Sequence, residues 1–223
     1  MRPQSSCPRP RLYNQPTMPA QSAHNIRLVL FDLGGVLVET TGVPAMLAWM
    51  DHRITAAELW TLWLRSPVVR RFETGRATPE EFAAQIVLDM RLPVSEQEFL
   101  QTFTSWITRL YPGALELVRS IPPRFTRATL CNTCALHWPL LMDTLGLEHA
   151  FDRHFASHLI GKIKPDAEAF EHVLDALNVK AAEAFFLDDN ILNIEAARWL
   201  GIKAAHVNGP RQAEAALQDA GIL

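Results

Sequence analysis

The sequence predicts an α/β protein: a Rossmann-like parallel sheet flanked by helices, with an all-helical domain inserted after the first strand. Three observations carry this. The apolar run Ile26–Phe31 ends in Asp32 and then Gly34-Gly35, a buried strand feeding a tight turn. Residues 43–110 switch to helical spacing. From residue 112 onward, short apolar runs alternate with helical patterns, the order that builds a parallel sheet. The 223 residues suffice for such a core and a smaller lobe. The expected division is a tail over 1–23, a core from 24–42 and 111–223, and a helical domain over 43–110.

Each element has its own signal. The first 23 residues hold five of the 15 prolines, three arginines and no acid, the composition of a disordered tail or of an extension upstream of a start at Met18. In the insert, Leu59, Leu62 and Trp63 lie at i, i+3 and i+4, and Phe82, Ile86 and Met90 recur every four. Thr78-Pro79-Glu80-Glu81 starts a helix with a capping threonine, a proline in the first turn and acids near the positive end. Ser95 with Glu98 three residues later reads as a capping box. Pro112-Gly113 opens a helix over 114–120, and Thr126–Leu130 is a strand. Leu136–Leu145 reads as a helix stopped by Gly146, and a short strand lies near His154–Ala156. A helix over Asp166–Leu177, a strand over Ala184–Leu187, a helix over Ile194–Leu200 ended by Gly201, and a strand over Lys203–Val207 complete the pattern.

Composition narrows the function. A net charge of −3 gives no polyanion footprint, so nucleic acid is not the expected partner. No apolar run is long enough to span a membrane. The three cysteines, Cys7, Cys131 and Cys134, do not form a secreted disulfide framework, and a cytoplasmic home is the simplest expectation. Only four of the 21 basic residues are lysines: Lys162, Lys164, Lys180 and Lys203.

Three polar positions each follow an apolar strand: Asp32, the Cys131-Asn132-Thr133 turn, and Asp188-Asp189. Lys164 lies in a loop before a helix. In a parallel sheet such points gather at the carboxyl ends of the strands. An adjacent carboxylate pair with a distant third suits a hard divalent cation such as Mg²⁺. A lysine beside them would neutralise a phosphate, and Asn132 with Thr133 could bind phosphoryl oxygens. Together these suggest phosphoryl transfer through an aspartyl-phosphate. Spacing alone does not choose between Lys164 and Lys162.

The ordered motifs Phe31-Asp32-Leu33-Gly34-Gly35-Val36-Leu37, Leu130-Cys131-Asn132-Thr133, Lys164-Pro165 and Phe186-Leu187-Asp188-Asp189-Asn190 resemble the haloacid dehalogenase (HAD) superfamily over about residues 26–207. Phe72-Glu73-Thr74-Gly75 followed by Glu80-Glu81-Phe82 is similar to its helical-cap phosphatases, and the start is most like the sugar-1-phosphate phosphatase branch. The resemblance implies a HAD core with a mobile helical cap. It implies Asp32 as nucleophile and Mg²⁺ ligand, and the Gly34 carbonyl and Asp189 as further ligands with Asp188 close by. Cys131, Asn132 and Lys164 would then face the phosphoryl group. The expected function is Mg²⁺-dependent hydrolysis of a small phosphorylated metabolite, with sugar phosphates among the candidates.

Two positions depart from the family pattern. Most of its phosphatases carry an aspartate two residues after the nucleophile as general acid and base; here it is Gly34. Its loss is worth about 10²–10⁴-fold, less for an easily departing anomeric oxygen. The usual Ser or Thr of the second motif is Cys131, a weak donor. Two alternatives stand beside this reading: a 2-haloacid dehalogenase-type hydrolase, against which Gly34 and the Asp188-Asp189 pair argue, and a catalytically degraded binding or regulatory protein, for which Gly34 and Cys131 argue. Other features have plainer readings beside functional ones. Cys131-x-x-Cys134 suggests redox chemistry or two unrelated buried thiols, and His154 with His158 a zinc site or surface histidines. Trp49, Trp60, Trp63 and Trp106 suggest cap core or a sugar-stacking wall, and Arg65, Arg70, Arg71 and Arg76 a solvated face or a cap arginine recognising an anion.

Overall fold

The computed structural model describes residues 25–223. The expected tail over 1–23, Met18 and Cys7 lie outside the described residues. The core is a five-stranded parallel sheet of β1 (Leu28–Phe31), β4 (Thr126–Cys131), β5 (Arg153–Ala156), β6 (Ala184–Asp188) and β7 (Lys203–His206), in the order β5-β4-β1-β6-β7. β1 and β6 are buried at every residue, which is why they read as unbroken apolar runs rather than alternating ones. Alternate residues still go to opposite faces. Val29, Phe31 and Leu187 pack with α6 (Ala114–Ser120) and α10 (Gly209–Asp219); Leu28, Leu30 and Phe186 pack with α8 (Ala167–Leu177) and α9 (Ile191–Trp199), and the single-turn α7 (Ser157–Ile160) follows β5.

Register places the chemistry. Phe31, the last residue of β1, pairs with Thr129 on one side and Leu187 on the other, so β6 ends one residue and β4 two residues beyond it. Asp32, Asn132 and Asp189 therefore emerge along one edge of the sheet.

Between β1 and β4 the chain leaves the core through an antiparallel ribbon, β2 (Val38–Thr40) against β3 (Ile107–Leu110). It carries five helices: α1 (Gly42–Trp49), α2 (Ala56–Arg65), α3 (Pro67–Glu73), α4 (Pro79–Asp89) and α5 (Glu96–Thr104). Their starts are chemically marked. Thr55 with Glu58 and Thr78 with Glu81 form full capping boxes, while Ser95 accepts from the Glu98 N–H without the reciprocal bond. An aromatic cluster joins the helices, with Phe72 stacked on Phe82 at 4.3 Å and Phe82 edge-on to Phe99 and Phe103.

Four details differ from the sequence reading. Ile107–Leu110 is a strand rather than helix, and Val38–Thr40 pairs with it; both are short and partly exposed, so neither shows the apolar signature of a core strand. Leu136–Leu145 is not one α-helix: Pro139 has no N–H to donate, and the chain makes a wide turn at Leu140–Thr144 in which Leu145 N–H donates to the Leu140 carbonyl. α9 begins at Ile191, where the Asn190 side chain caps it. α10 was not anticipated, and its Ala213 and Leu217 close one face of the core. Among the described residues no helix is long and apolar enough to cross a membrane.

Candidate active site

The site lies where β1, β4 and β6 end beneath the helical insert. Asp32 follows β1, Cys131 closes β4 and Asp188 closes β6 with Asp189 next. One carboxylate oxygen from each of Asp32, Asp188 and Asp189 lies within 4.8 Å of the others.

Lys164 ties two of them together. Its side chain is 1% exposed, and Nζ donates to Asp32 Oδ1 and Asp188 Oδ2, each at 2.7 Å. Burial alone would lower its pKa; Asp188 and Asp32 outweigh that and raise it, so the ammonium is charged. Lys162 instead reaches Glu168 on the surface, 3.9 Å away, which decides between the two lysines. The Lys164–Pro165 peptide is cis.

Asn132 fixes the lysine from behind. Its Nδ2 donates to the Lys164 carbonyl and its Oδ1 accepts the Lys164 N–H, both at 2.9 Å. The sequence suggested a phosphoryl-facing amide; the structure engages both ends of that amide with the Lys164 backbone. Asp188 is similarly committed. Its Oδ1 accepts from Asn190 N–H and Asn193 Nδ2, and its Oδ2 from Lys164 and Asn193.

Asp32 and Asp189 are left with freer oxygens. Burial pushes the Asp32 carboxyl up to about 6, against the pull of Lys164. Burial, then Asp32 and Asp188, push Asp189 up to about 8. Acids this close resist joint ionisation, and a divalent cation among them would reverse that. The donors are all oxygens, a set that fits Mg²⁺. Gly35 makes the approach possible: its φ is +69°, and a Cβ there would sit 2.1 Å from Asp189 Oδ2. Gly34 is different. Its φ is not positive, and a Cβ would meet only Thr40 Cγ2 at 3.6 Å and Asp32 Oδ2 at 3.8 Å.

A residue that the motif reading quoted but gave no role now stands out. Glu73, the last residue of α3, lines the same cleft and is 8% exposed. Its Oε1 accepts the Trp63 indole N–H at 3.0 Å, and its Oε2 has no partner. Burial pushes its pKa up to about 7, against weaker lowering by Trp63, Lys164 and Arg70. The free Thr133 hydroxyl is also buried and lines the cleft. Its own N–H and carbonyl are held by the Ser157 hydroxyl.

The remaining sequence candidates separate. Trp60, Trp63 and Trp106 line the cleft, and Trp49 packs on Phe99. Arg70, Arg71 and Arg76 line a separate surface groove; Arg70 pairs with Asp166, and Arg76 donates to the Gly161 carbonyl. Cys131 and Cys134 are buried free thiols, both pushed up by burial, Cys134 to about 12, so neither is a thiolate. Among the described residues the three aspartates are the only metal-capable cluster, and the histidine pair does not form one.

Residues 26–201 match the model of the haloacid dehalogenase-like hydrolases. A sesquiterpene phosphatase of Aspergillus oryzae, astK, is 30% identical over 184 residues, covering 81% of this chain and 89% of that protein. A D-ribitol-5-phosphate phosphatase of Bacteroides thetaiotaomicron is 21% identical over 185 residues, covering 80% of this chain and 90% of that protein. A HAD family enzyme of the same bacterium, solved with magnesium and inorganic phosphate, aligns with a TM-score of 0.61 at 25% identity, covering 81% of this chain and 93% of that one.

Proposed function

The chain belongs to the haloacid dehalogenase-like hydrolase family, and from that premise we propose a Mg²⁺-dependent phosphatase of small phosphorylated metabolites that works through an aspartyl-phosphate. One observation carries the reading: three carboxylates converge within 4.8 Å of one another at the carboxyl edge of the sheet, two of them bonded to the buried Lys164. The relatives described above as phosphatases support it.

The roles follow from the geometry. Asp32 attacks phosphorus. Asp32, Asp189 and the Gly34 carbonyl would hold Mg²⁺, with Asp188 behind them. When bound, the cation supplies positive charge that draws electron density from phosphorus and offsets repulsion between phosphoryl oxygens and carboxylates. Lys164 neutralises a phosphoryl oxygen; Asp188 and Asn132 keep its ammonium aimed. The free Thr133 hydroxyl donates to the phosphoryl group, where the buried Cys131 thiol is a weak donor. Cys131 keeps the motif position with little binding role.

Gly34 has no proton to give, and Glu73 supplies it. As the Asp32–phosphorus bond forms and the ester bond breaks, the neutral Glu73 carboxyl protonates the leaving oxygen. The carboxylate then takes a proton from the water that attacks the aspartyl-phosphate, which restores Asp32 and releases phosphate. The helices α1–α5 form a cap over this cleft, and their closure would exclude bulk water. Dehalogenation, the rival enzymatic reading, forms its ester at carbon and gives Asp189 no role.

The test is phosphate release from phenyl phosphate with Mg²⁺ and with EDTA, for wild type and Asp32→Asn. Release that needs the metal and vanishes in the variant is the expected result. Equal release with EDTA, or retained activity in Asp32→Asn, overturns the reading.

A further inference from the structure

The relatives' names point to opposite leaving groups, one a hydrocarbon and the other a polyol. The cleft of this chain distinguishes them. Beyond Asp32 it opens into a chamber under the cap walled by Met46, Leu59, Trp60, Trp63, Leu64 and Trp106; the whole cleft, carboxylate end included, has a cavity volume of about 160 Å³. α1 and α2 supply most of that wall.

Its polar inventory is small: among the described residues, Glu73 Oε2, the Thr133 hydroxyl, the Trp106 indole N–H and Asn193 Oδ1 are the buried polar atoms of the cleft without a partner. Among the described residues Lys164 is the only lysine or arginine lining the cleft, and it is held at the carboxylate end. His137 lines the chamber, but its Nε2 is bonded to the Phe103 carbonyl at 2.8 Å, and burial lowers its pKa, so it is neutral. Glu73 gives one oxygen to Trp63. The cap arginines Arg70, Arg71 and Arg76 open on a different groove. A polyol in such a chamber would bury several hydroxyls without partners, and each unpartnered hydroxyl is a penalty. A hydrocarbon would bury none.

Resting on the phosphatase reading, we propose that the substrate is a phosphate monoester of a predominantly hydrocarbon alcohol, branched or cyclic, whose carbon skeleton fills the chamber while the phosphate meets Asp32 and Lys164. This proposal departs from the sugar-phosphate expectation, and the two are separated by the experiment below. Each methylene seated adds about fourfold in affinity. Ester preference should therefore climb with chain length until the chamber is full. In this proposal Trp60 and Trp63 wall the hydrocarbon, while the Trp106 indole N–H lines the same cleft without a partner.

The experiment compares phosphate release by the Mg²⁺-loaded protein from farnesyl, geranyl and dodecyl monophosphates, D-ribitol 5-phosphate, glucose 1-phosphate and phenyl phosphate. Binding of farnesol and of ribitol is measured in parallel by calorimetry. We expect kcat/KM for farnesyl phosphate to exceed both sugar esters by about 100-fold or more, rising from geranyl to farnesyl. Farnesol should bind and ribitol should not. Trp60→Gln should lower the farnesyl-to-phenyl ratio of kcat/KM by about tenfold. Sugar esters that match the prenyl esters while phenyl phosphate is hydrolysed would overturn the substrate class and leave the phosphatase reading standing. If no ester is hydrolysed, the phosphatase reading falls, and the alcohols still decide the chamber: farnesol binding without ribitol binding supports a hydrocarbon ligand, and no farnesol binding removes it.

Discussion

Glu73→Gln should change stability and activity in opposite directions. The carboxyl is 8% exposed, and its pKa moves from 4.5 to about 7, chiefly through burial. The folded protein therefore holds a proton that the unfolded chain has already released between these values. Stability is fully present below pH 4.5 and is lost as pH rises through 7. At about 1.36 kcal/mol per pKa unit, the loss is on the order of 3 kcal/mol. Glutamine cannot titrate. The quantity to measure is the difference in unfolding free energy between variant and wild type, by urea denaturation at pH 4 and pH 8. Effects of the amide itself are independent of pH and cancel between the two conditions. The variant should gain on wild type by about 3 kcal/mol over this interval. Its kcat for an alkyl phosphate should fall by about 10²–10⁴-fold, with a much smaller fall for p-nitrophenyl phosphate, whose leaving group needs no proton. A stability difference that stays flat with pH would show that Glu73 ionises normally. Equal losses on both esters would remove it as the proton donor.

Three further outcomes follow from the geometry of the same cleft. Gly34→Asp should fold within about 1 kcal/mol of wild type, because a Cβ there meets only ordinary contacts, and should raise turnover of alkyl esters; thermal melts and phosphate release check both. Gly35→Ala should destabilise by about 1–3 kcal/mol and weaken Mg²⁺ binding in a metal titration, because its φ is positive and the added carbon collides with Asp189. Peroxide treatment should leave activity unchanged, since burial holds both Cys131 and Cys134 as thiols; an inactivation reversed by thiol reductant would contradict this.

The parallel sheet was legible because its central strands are buried on both faces, so β1 and β6 read as continuous apolar runs bounded by polar turns. The same runs end at Asp32 and Asp188, and the site was legible for that reason. Sequence spacing does not report depth, however. It left Lys162 and Lys164 equivalent, whereas one pairs on the surface and the other is buried between two aspartates. It treated Asp188 and Asp189 as a pair, whereas hydrogen bonds from Asn190, Asn193 and Lys164 occupy Asp188 and leave Asp189 freer. The ribbon of β2 and β3 is too short and exposed to show apolar periodicity. Glu73 was visible as a motif residue, but its chemistry depends on burial and on an indole ten residues away, which no local pattern carries.

Gly34 and Cys131 raised the alternative of a protein that binds but does not turn over. The energetics of the cleft argue against it. Three acids packed around one ammonium are a weak source of stability, because desolvating buried charges offsets most of their attraction. Asp32 and Asp189 both show that strain, with burial driving their carboxyls upward. A structural core would be served as well by apolar side chains of similar volume. Under the proposed function the arrangement gains a purpose, because a divalent cation would compensate the carboxylates and balance the charge of an incoming phosphoryl group. The two departures also have counterparts within the same cleft. Thr133 carries a buried hydroxyl with no partner, beside the thiol that donates weakly. Glu73 carries a buried carboxyl oxygen with no partner, in a site whose expected acid is a glycine. Unpartnered buried polar atoms are uncommon in folded proteins and usually have a use. Under the proposed function these two supply hydrogen-bond donors to a phosphoryl oxygen and a departing alcohol, and Trp106 Nε1 and Asn193 Oδ1 line the same cleft without partners.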